Sequence, residues 1–354
     1  RRELTEDQIT RLGTPPRVYA NQDAVLAVHW HPEFVPMDII RWRVNAMFPN
    51  KRDELIIPTN HNVLDSYDGV FSGVEIDCYA ASFRRKVQFL AHFHSPRVQE
   101  ASVFKQMLEY TFRYRHSQLW ELIETIMNPD HGHKVDEAAK KTGANAEVVD
   151  FLRTHTTKLS ALIARHEDDT PRDMLRNKLI KLYIDTLRDH FPANLVDRAL
   201  YLLGEIKRVV KRTFSLEYFY EAHEVIEEVR GLGGGIVIPH PEQFWPVLLA
   251  GYDVDGIEVW NPQSQKFTHF LIDVVHRENR ERARGGRPVL IFMGDDTHLS
   301  EKVPTPARQD GPKASREIGL QPAWDDLDIR KTLIVANCDR RTVISEYRAR
   351  LLNP

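Results

Sequence analysis

Cysteine is nearly absent. Only Cys78 and Cys338 occur in 354 residues, too few for a disulfide framework or a thiolate zinc cage, and this usage fits a reducing compartment. Long apolar runs are missing too: none approaches the ~20 residues a membrane-spanning helix needs. The first ten residues, RRELTEDQIT, hold no apolar signal stretch. The expectation is a cytoplasmic protein without a membrane partner. Excess charge is lacking as well. A formal net charge of -3, with both signs dispersed, gives no broad basic field for duplex nucleic acid and no polybasic anchor. What is plentiful is histidine, with 16 residues, and their placement carries the functional reading.

Eight short runs rich in Val, Ile and Leu read as strands buried on both faces of a parallel sheet. They cover 24–28, 55–57, 73–76, 87–91, 235–238, 256–259, 289–293 and 332–336. Segments 37–48, 265–284 and 341–352 have helical spacing, so strand and helix alternate as in an α/β barrel or doubly wound sheet. Between 99 and 230 the alternation stops. Helices are expected there at 103–127, 146–165, 170–190, 194–212 and 215–229, with Thr170-Pro171 as a helix start. The chain therefore reads as one α/β domain, 1–98 with 231–354, interrupted by an all-helical insertion at 99–230. Residues 301–322, rich in Pro, Gly and charge, read as a long loop.

Chemistry-bearing residues follow the strands. The first strand runs into His29-Trp30-His31, the second into Asn60-His61, and the third carries Glu75 and Asp77. The fourth runs into His92-Phe93-His94, the fifth into His240-Pro241, the sixth carries Glu258, and the seventh leads to Asp295-Asp296-Thr297-His298. In parallel α/β folds the carboxyl ends of the strands share one face, so these groups are expected to converge. Imidazole and carboxylate together suit borderline and hard divalent ions. The other histidines, including His131 and His133 after Asn128-Pro129-Asp130, lack that placement. His223-Glu224 lacks the second histidine of a helical zinc-protease motif, because residue 227 is Glu. Gly231-Leu232-Gly233-Gly234-Gly235 precedes a strand instead of following one, and reads as a helix stop.

This order of motifs resembles the PHP superfamily, named for its polymerase and histidinol phosphatase members, over about 20–98 and 232–345. The resemblance implies a distorted (β/α)7 barrel holding two or three Mn, Fe or Zn ions and hydrolysing phosphoesters. It implies His29, His31, His61, Glu75, His240, Asp296 and His298 as metal ligands, Glu75 being the bridging carboxylate. The chain departs from the pattern at Asn60, where Asp is usual, at Gln88, where many members carry a histidine, and at Pro32-Glu33, which leaves Glu33 or Asp38 for an acidic role. His92 or His94, of which His94 is nearer the rim before Ser95-Pro96, is expected to be a metal ligand, and Gln88 is not. His240 or Asp295 is a candidate to protonate the leaving group, and Arg41, Arg43 and Arg97 are candidates to meet phosphate charge. A small phosphorylated molecule or an oligonucleotide is the expected substrate, and the cluster Lys207, Arg208, Lys211 and Arg212 reads either as a local phosphate contact or as an ordinary helix C-terminus. Two other functions stand beside this one: a non-catalytic binding module stabilised by metal, and a metal-dependent amide or ester hydrolase.

Overall fold

The computed structural model describes residues 3–282 and 286–354. The chain divides into two compact units, Leu4–Thr111 with Phe219–Pro354, and Phe112–Tyr218. The helix Ala222–Gly231, which its chain position assigns to the insertion, falls in the larger unit.

The larger unit is mixed α/β, and the ten strands among its described residues form three separate sheets. The strands are β1 (Ala24–Ala27), β2 (Trp30–His31), β3 (Asp53–Ile56), β4 (Asp65–Ser66), β5 (Phe71–Ala80), β6 (Arg85–His94), β7 (Gly235–Ile238), β8 (Gly256–Trp260), β9 (Leu290–Met293) and β10 (Thr297–His298). β1 pairs in parallel with β3, and β2 in parallel with β10. The remaining six form one sheet in the order β4-β5-β6-β7-β8-β9. No ladder closes these sheets into a barrel among the described residues. One reason is local: the chain turns out of β1 at His29, and its next residues pair with β10 instead of extending the β1 ladder.

The expectation of a wholly parallel sheet also fails. β7, β8 and β9 run parallel, but β6 is antiparallel to both β5 and β7, so it alone of β5 to β9 runs the other way. β5 and β6 are joined by the short turn Ala81–Phe83, and a connection that short permits only an antiparallel pair.

Helices wrap these sheets through apolar stripes at helical spacing. Met37–Met47 buries Ile39, Ile40, Val44 and Met47. Arg340–Leu352 starts at Asp339, whose side chain accepts from the Thr342 amide, and buries Val343, Ile344, Tyr347 and Leu351. The run 332–336, expected as a strand, is instead the end of a helix, Leu327–Val335. Asp326 caps it by accepting from the amides of Asp328 and Ile329, and of its residues only Leu333 is buried. A short apolar run cannot by itself distinguish the two periods. Residues 301–322 form a chain of short helical turns pinned by a buried ion cluster. Glu317 accepts from Arg43 (2.5 and 2.7 Å) and from Lys302 (3.0 Å), whose ammonium also donates to the carbonyls of Ala314 and Arg316. No helix among the described residues is long and apolar enough to cross a membrane.

The smaller unit is helical and has its own core. Ala146–Arg165 matches expectation, with Asn145 as its cap and Val148, Leu152, Leu159 and Ile163 buried. Segment 170–190 is broken: the helix proper is Asn177–Thr186, with single turns at Arg172–Met174 and Leu187–Asp189, so Thr170-Pro171 does not start it. Residues 215–221 are not helical. A helix the sequence reading lacks, Gly132–Thr142, buries Val135 and Ala138. Arg208 pairs with Glu205, and Arg212 with Glu137.

Candidate metal centre

His29, His31, His61, Glu75, His240, Asp296 and His298 come together in the larger unit. The backbone explains how. Turning out of β1, the chain pairs Trp30 and His31 with Thr297 and His298, and the Asp296 amide donates to the His29 carbonyl at 2.9 Å, so the H-x-H and D-x-H segments lie side by side. An isolated parallel bridge joins His61 to Glu75. His240 follows β7 after Pro239. Among the described residues, six non-glycine residues have positive φ, and Glu33, Asn62, His240 and Asp296 of these lie at or beside the cluster. Such conformations cost of order 1–3 kcal/mol and persist where surrounding structure holds them for function.

Apart from the 2.8 Å contact of His61 with Glu75, the spacing within the cluster is longer than good hydrogen bonds and suits coordination. Asp296 Oδ1 lies 3.7, 3.5 and 3.4 Å from Nε2 of His29, His31 and His298. Glu75 Oε2 is 3.7 Å from His31 Nε2 and 2.8 Å from His61 Nδ1, while Oε1 is 3.5 Å from His240 Nε2. Ligands ~2.1 Å from a tetrahedral ion stand ~3.4 Å apart. Among the described residues, Nε2 of His29, both ring nitrogens of His31 and Oε1 of Glu75 are buried without a hydrogen-bond partner. Buried polar atoms are rarely left so, and an ion satisfies several at once. Two ligand sets share His31: one with His61 and His298, the other with His29 and Glu75. The residues therefore fit divalent metal.

Supporting carboxylates fix the rings. Glu258 accepts from His29 Nδ1 at 2.8 Å through Oε1 and from the His240 amide at 2.8 Å through Oε2. An ionised carboxylate only accepts, so Nδ1 carries a proton, and Nε2 faces the cluster as the nitrogen whose lone pair metal would take. Gly294 makes room for this: a Cβ there would lie 1.5 Å from Glu258 Oε1. Glu33 plays the matching part for His298, 3.3 Å from Nδ1, and also accepts from the Ser300 amide. Asn60 accepts from the Glu33 amide through its side-chain oxygen and so holds the backbone that carries that carboxylate. The sequence displayed Glu258 at a strand end, but nothing in it paired that residue with His29.

The electrostatics follow from burial and these partners. Burial alone would lower the pKa of His29, but the charge and hydrogen bond of Glu258, then Asp296 and Glu75, push it up to about 10. In the metal-free protein this ring therefore holds a proton at neutral pH, and metal must displace it. His31 is stacked between His298 (ring centroids 4.1 Å) and His61 (4.6 Å). Burial, then those two rings, hold its pKa well below 6.5. Burial would raise the carboxyls of Glu75 and Asp296, yet the neighbouring imidazoles hold both well below the usual range.

Three expected members are not brought in. His92 donates from Nε2 to the Val28 carbonyl (2.9 Å), and its Nδ1 accepts from the Tyr347 hydroxyl (2.8 Å), so both nitrogens are spent. His94 packs against Phe71 and belongs to neither ligand set. The reason is the direction of β6, whose carboxyl end lies beside the start of β7, not its end: His92 pairs with Gly235, whereas His240 follows Ile238. Asp295 is the third. Its oxygens accept from the amides of Thr297 and Gly319 and from Gln321, tying down the 317–321 segment. Burial pushes its pKa up to about 7 against those hydrogen bonds.

The expected rim arginines are engaged elsewhere: Arg41 donates to the Tyr67 carbonyl, Arg43 holds Glu317, and Arg97 donates to the carbonyls of Gly233, Leu351 and Leu352. The cation that does reach the cluster is Arg316, which donates to Asp296 Oδ2 at 2.7 Å.

No family model matches the chain, and no curated protein matches it. Among solved structures, a "putative metal-dependent phosphoesterase" from Bifidobacterium adolescentis aligns over 91% of this chain and 97% of its own, at 17% identity and a TM-score of 0.45. At that level the likeness carries no argument about chemistry, which rests on the residues themselves.

Proposed function

We propose that this chain hydrolyses phosphoesters with a di- or trinuclear divalent metal site, its substrate a small phosphorylated molecule or an oligonucleotide. The observation that carries the proposal is the set of buried imidazole nitrogens and carboxylate oxygens at coordination spacing around His31, with no thiolate among them. When bound, the ions supply charge neutralisation for the phosphoryl group and lower the pKa of a water nucleophile. Glu75 would be the bridging carboxylate, a role supported by Oε2 addressing His31 and His61 while Oε1 addresses His240. Glu258 and Glu33 hold His29 and His298 as lone-pair donors. His61 and His298, the two most exposed imidazoles of the set (17% and 23%), mark the side from which substrate enters. Amide hydrolases with similar ligands usually bridge their ions with a carboxylated lysine, whereas the buried Lys302 is held by Glu317 and two carbonyls, which favours phosphoester chemistry.

Elemental analysis after purification without chelator should find two or three transition-metal ions per chain, the di- or trinuclear site that phosphoryl transfer uses. A chelator should abolish hydrolysis of a generic phosphoester, and Mn should restore it better than Ca, which prefers all-oxygen sites. Full activity in chelator, or restoration by Ca alone, overturns the proposal.

A further inference from the structure

Arg316 is anchored as few surface arginines are. Its carbonyl accepts from the Lys302 ammonium at 2.5 Å, and the next residue, Glu317, is gripped by Arg43 through two nitrogens. The guanidinium is 9% exposed, and Nη1 donates both to the Asp296 carbonyl (3.0 Å) and to its Oδ2 (2.7 Å), while Oδ1 of the same carboxylate faces the three imidazoles. Gln263 donates to Oδ2 as well, at 2.7 Å, so the orientation of Asp296 does not depend on Arg316 alone. Nε of Arg316 is buried and, among the described residues, has no hydrogen-bond partner. A buried guanidinium nitrogen without an acceptor costs free energy, and its fixed fork matches a tetrahedral oxyanion.

We propose that Arg316 binds the anionic head of the substrate: the guanidinium that holds Asp296 through Nη1 offers its Nε–H to a non-bridging phosphoryl oxygen. This rests on the metal-hydrolase reading and adds to it the residue that receives the phosphoryl group. Arg316 thereby belongs to a class of contact that none of Arg41, Arg43 and Arg97 can supply, since those three are committed to carbonyls or to Glu317.

The test is binding of inorganic phosphate to the Mn-loaded protein by calorimetry, with the metal content of every variant counted beside it. Arg316→Gln should weaken phosphate binding by about ten- to a hundredfold, the worth of a charge-assisted hydrogen bond, with the ion count unchanged. Arg316→Lys, keeping the charge without the fork, should recover part of the loss. Phosphate affinity within about twofold of wild type in Arg316→Gln overturns the proposal. So does a loss of affinity that only tracks a loss of metal, because Arg316 would then act through Asp296 alone. Phosphate binding that depends on Arg316, without any hydrolysis by the wild type, would sink the hydrolase reading and leave the anion site standing.

Discussion

Two H-x-H segments close two buried strands, and they do different things. His29 and His31 leave β1 where the chain turns out of the ladder, and both rings meet Asp296 across 3.5–3.7 Å. His92 and His94 stay within β6 to its last residue, paired with Gly73 and Phe71 of β5. Their side chains serve packing and hydrogen bonding: His92 ties the Val28 carbonyl to Tyr347. That link matters because Val28 stands directly before His29 and no backbone ladder joins β1 to β6 among the described residues. One motif forms the candidate site, and the other holds in place the strand that carries it. Identical spacing in sequence is therefore not evidence of identical chemistry unless the direction of each strand is known.

Single substitutions can break this contrast. His31→Ala removes the ligand shared by both sets, so the chain should lose at least one ion, and hydrolysis should fall about a thousandfold, the scale of several kcal/mol of lost transition-state stabilisation. His94→Ala should change neither. Metal counting on the two variants decides, and a reversed result would mean that β6 carries the ligands. His92→Ala should keep its metal while losing about 3 kcal/mol of stability in denaturant unfolding, because it leaves a cavity and strands the Val28 carbonyl. Loss of an ion without loss of stability would instead make His92 a ligand.

What the sequence disclosed depends on how local the signal was. Strand positions were legible at β1, β7, β8 and β9, because a short Val- and Ile-rich run between turn residues is a local property. The groups at the ends of those runs, His29, His31, His240, Asp296 and His298, were nameable for the same reason. Strand direction was not, since an apolar run reads the same both ways; only the short connection 81–84 could have warned that β6 turns back. The run at 332–336 misled because Ile334 and Val335 are exposed on a helix, and the Asp326 cap was the overlooked cue. Glu258 and Arg316 were invisible as partners because each reaches its target across a long stretch of chain.

Glu258 offers a finer test of the working motif. Glu258→Gln preserves volume but removes the charge that fixes the His29 tautomer, and loss of such an outer carboxylate typically weakens metal by about ten- to a hundredfold. Competition with a chromogenic chelator measures this directly. Gly294→Ala should reproduce the defect, since its methyl would displace the same carboxylate. An unchanged affinity in both would detach Glu258 from the metal centre.

The smallest expected effect separates the two motifs by pH. Burial, against the hydrogen bond to the Val28 carbonyl, lowers the pKa of His92 to about 3, from 6.5 for the free side chain. Between those values the unfolded chain binds a proton that the folded chain refuses. The stability His92 contributes is thus complete above pH 6.5 and declines as pH falls toward 3, at about 1.4 kcal/mol per unit. At pH 5 the deficit is about 2 kcal/mol. His92→Gln can keep a donor for Val28 while removing the titration, so the metal-free variant should be less stable than metal-free wild type at pH 7.5 and should lose about 2 kcal/mol less between pH 7.5 and 5. Using metal-free protein for both keeps ligand protonation common to the pair, and urea midpoints at the two pH values supply the difference. Parallel decline of the two proteins would show that His92 titrates normally, and with it that the second H-x-H is not the buried strut its hydrogen bonds describe.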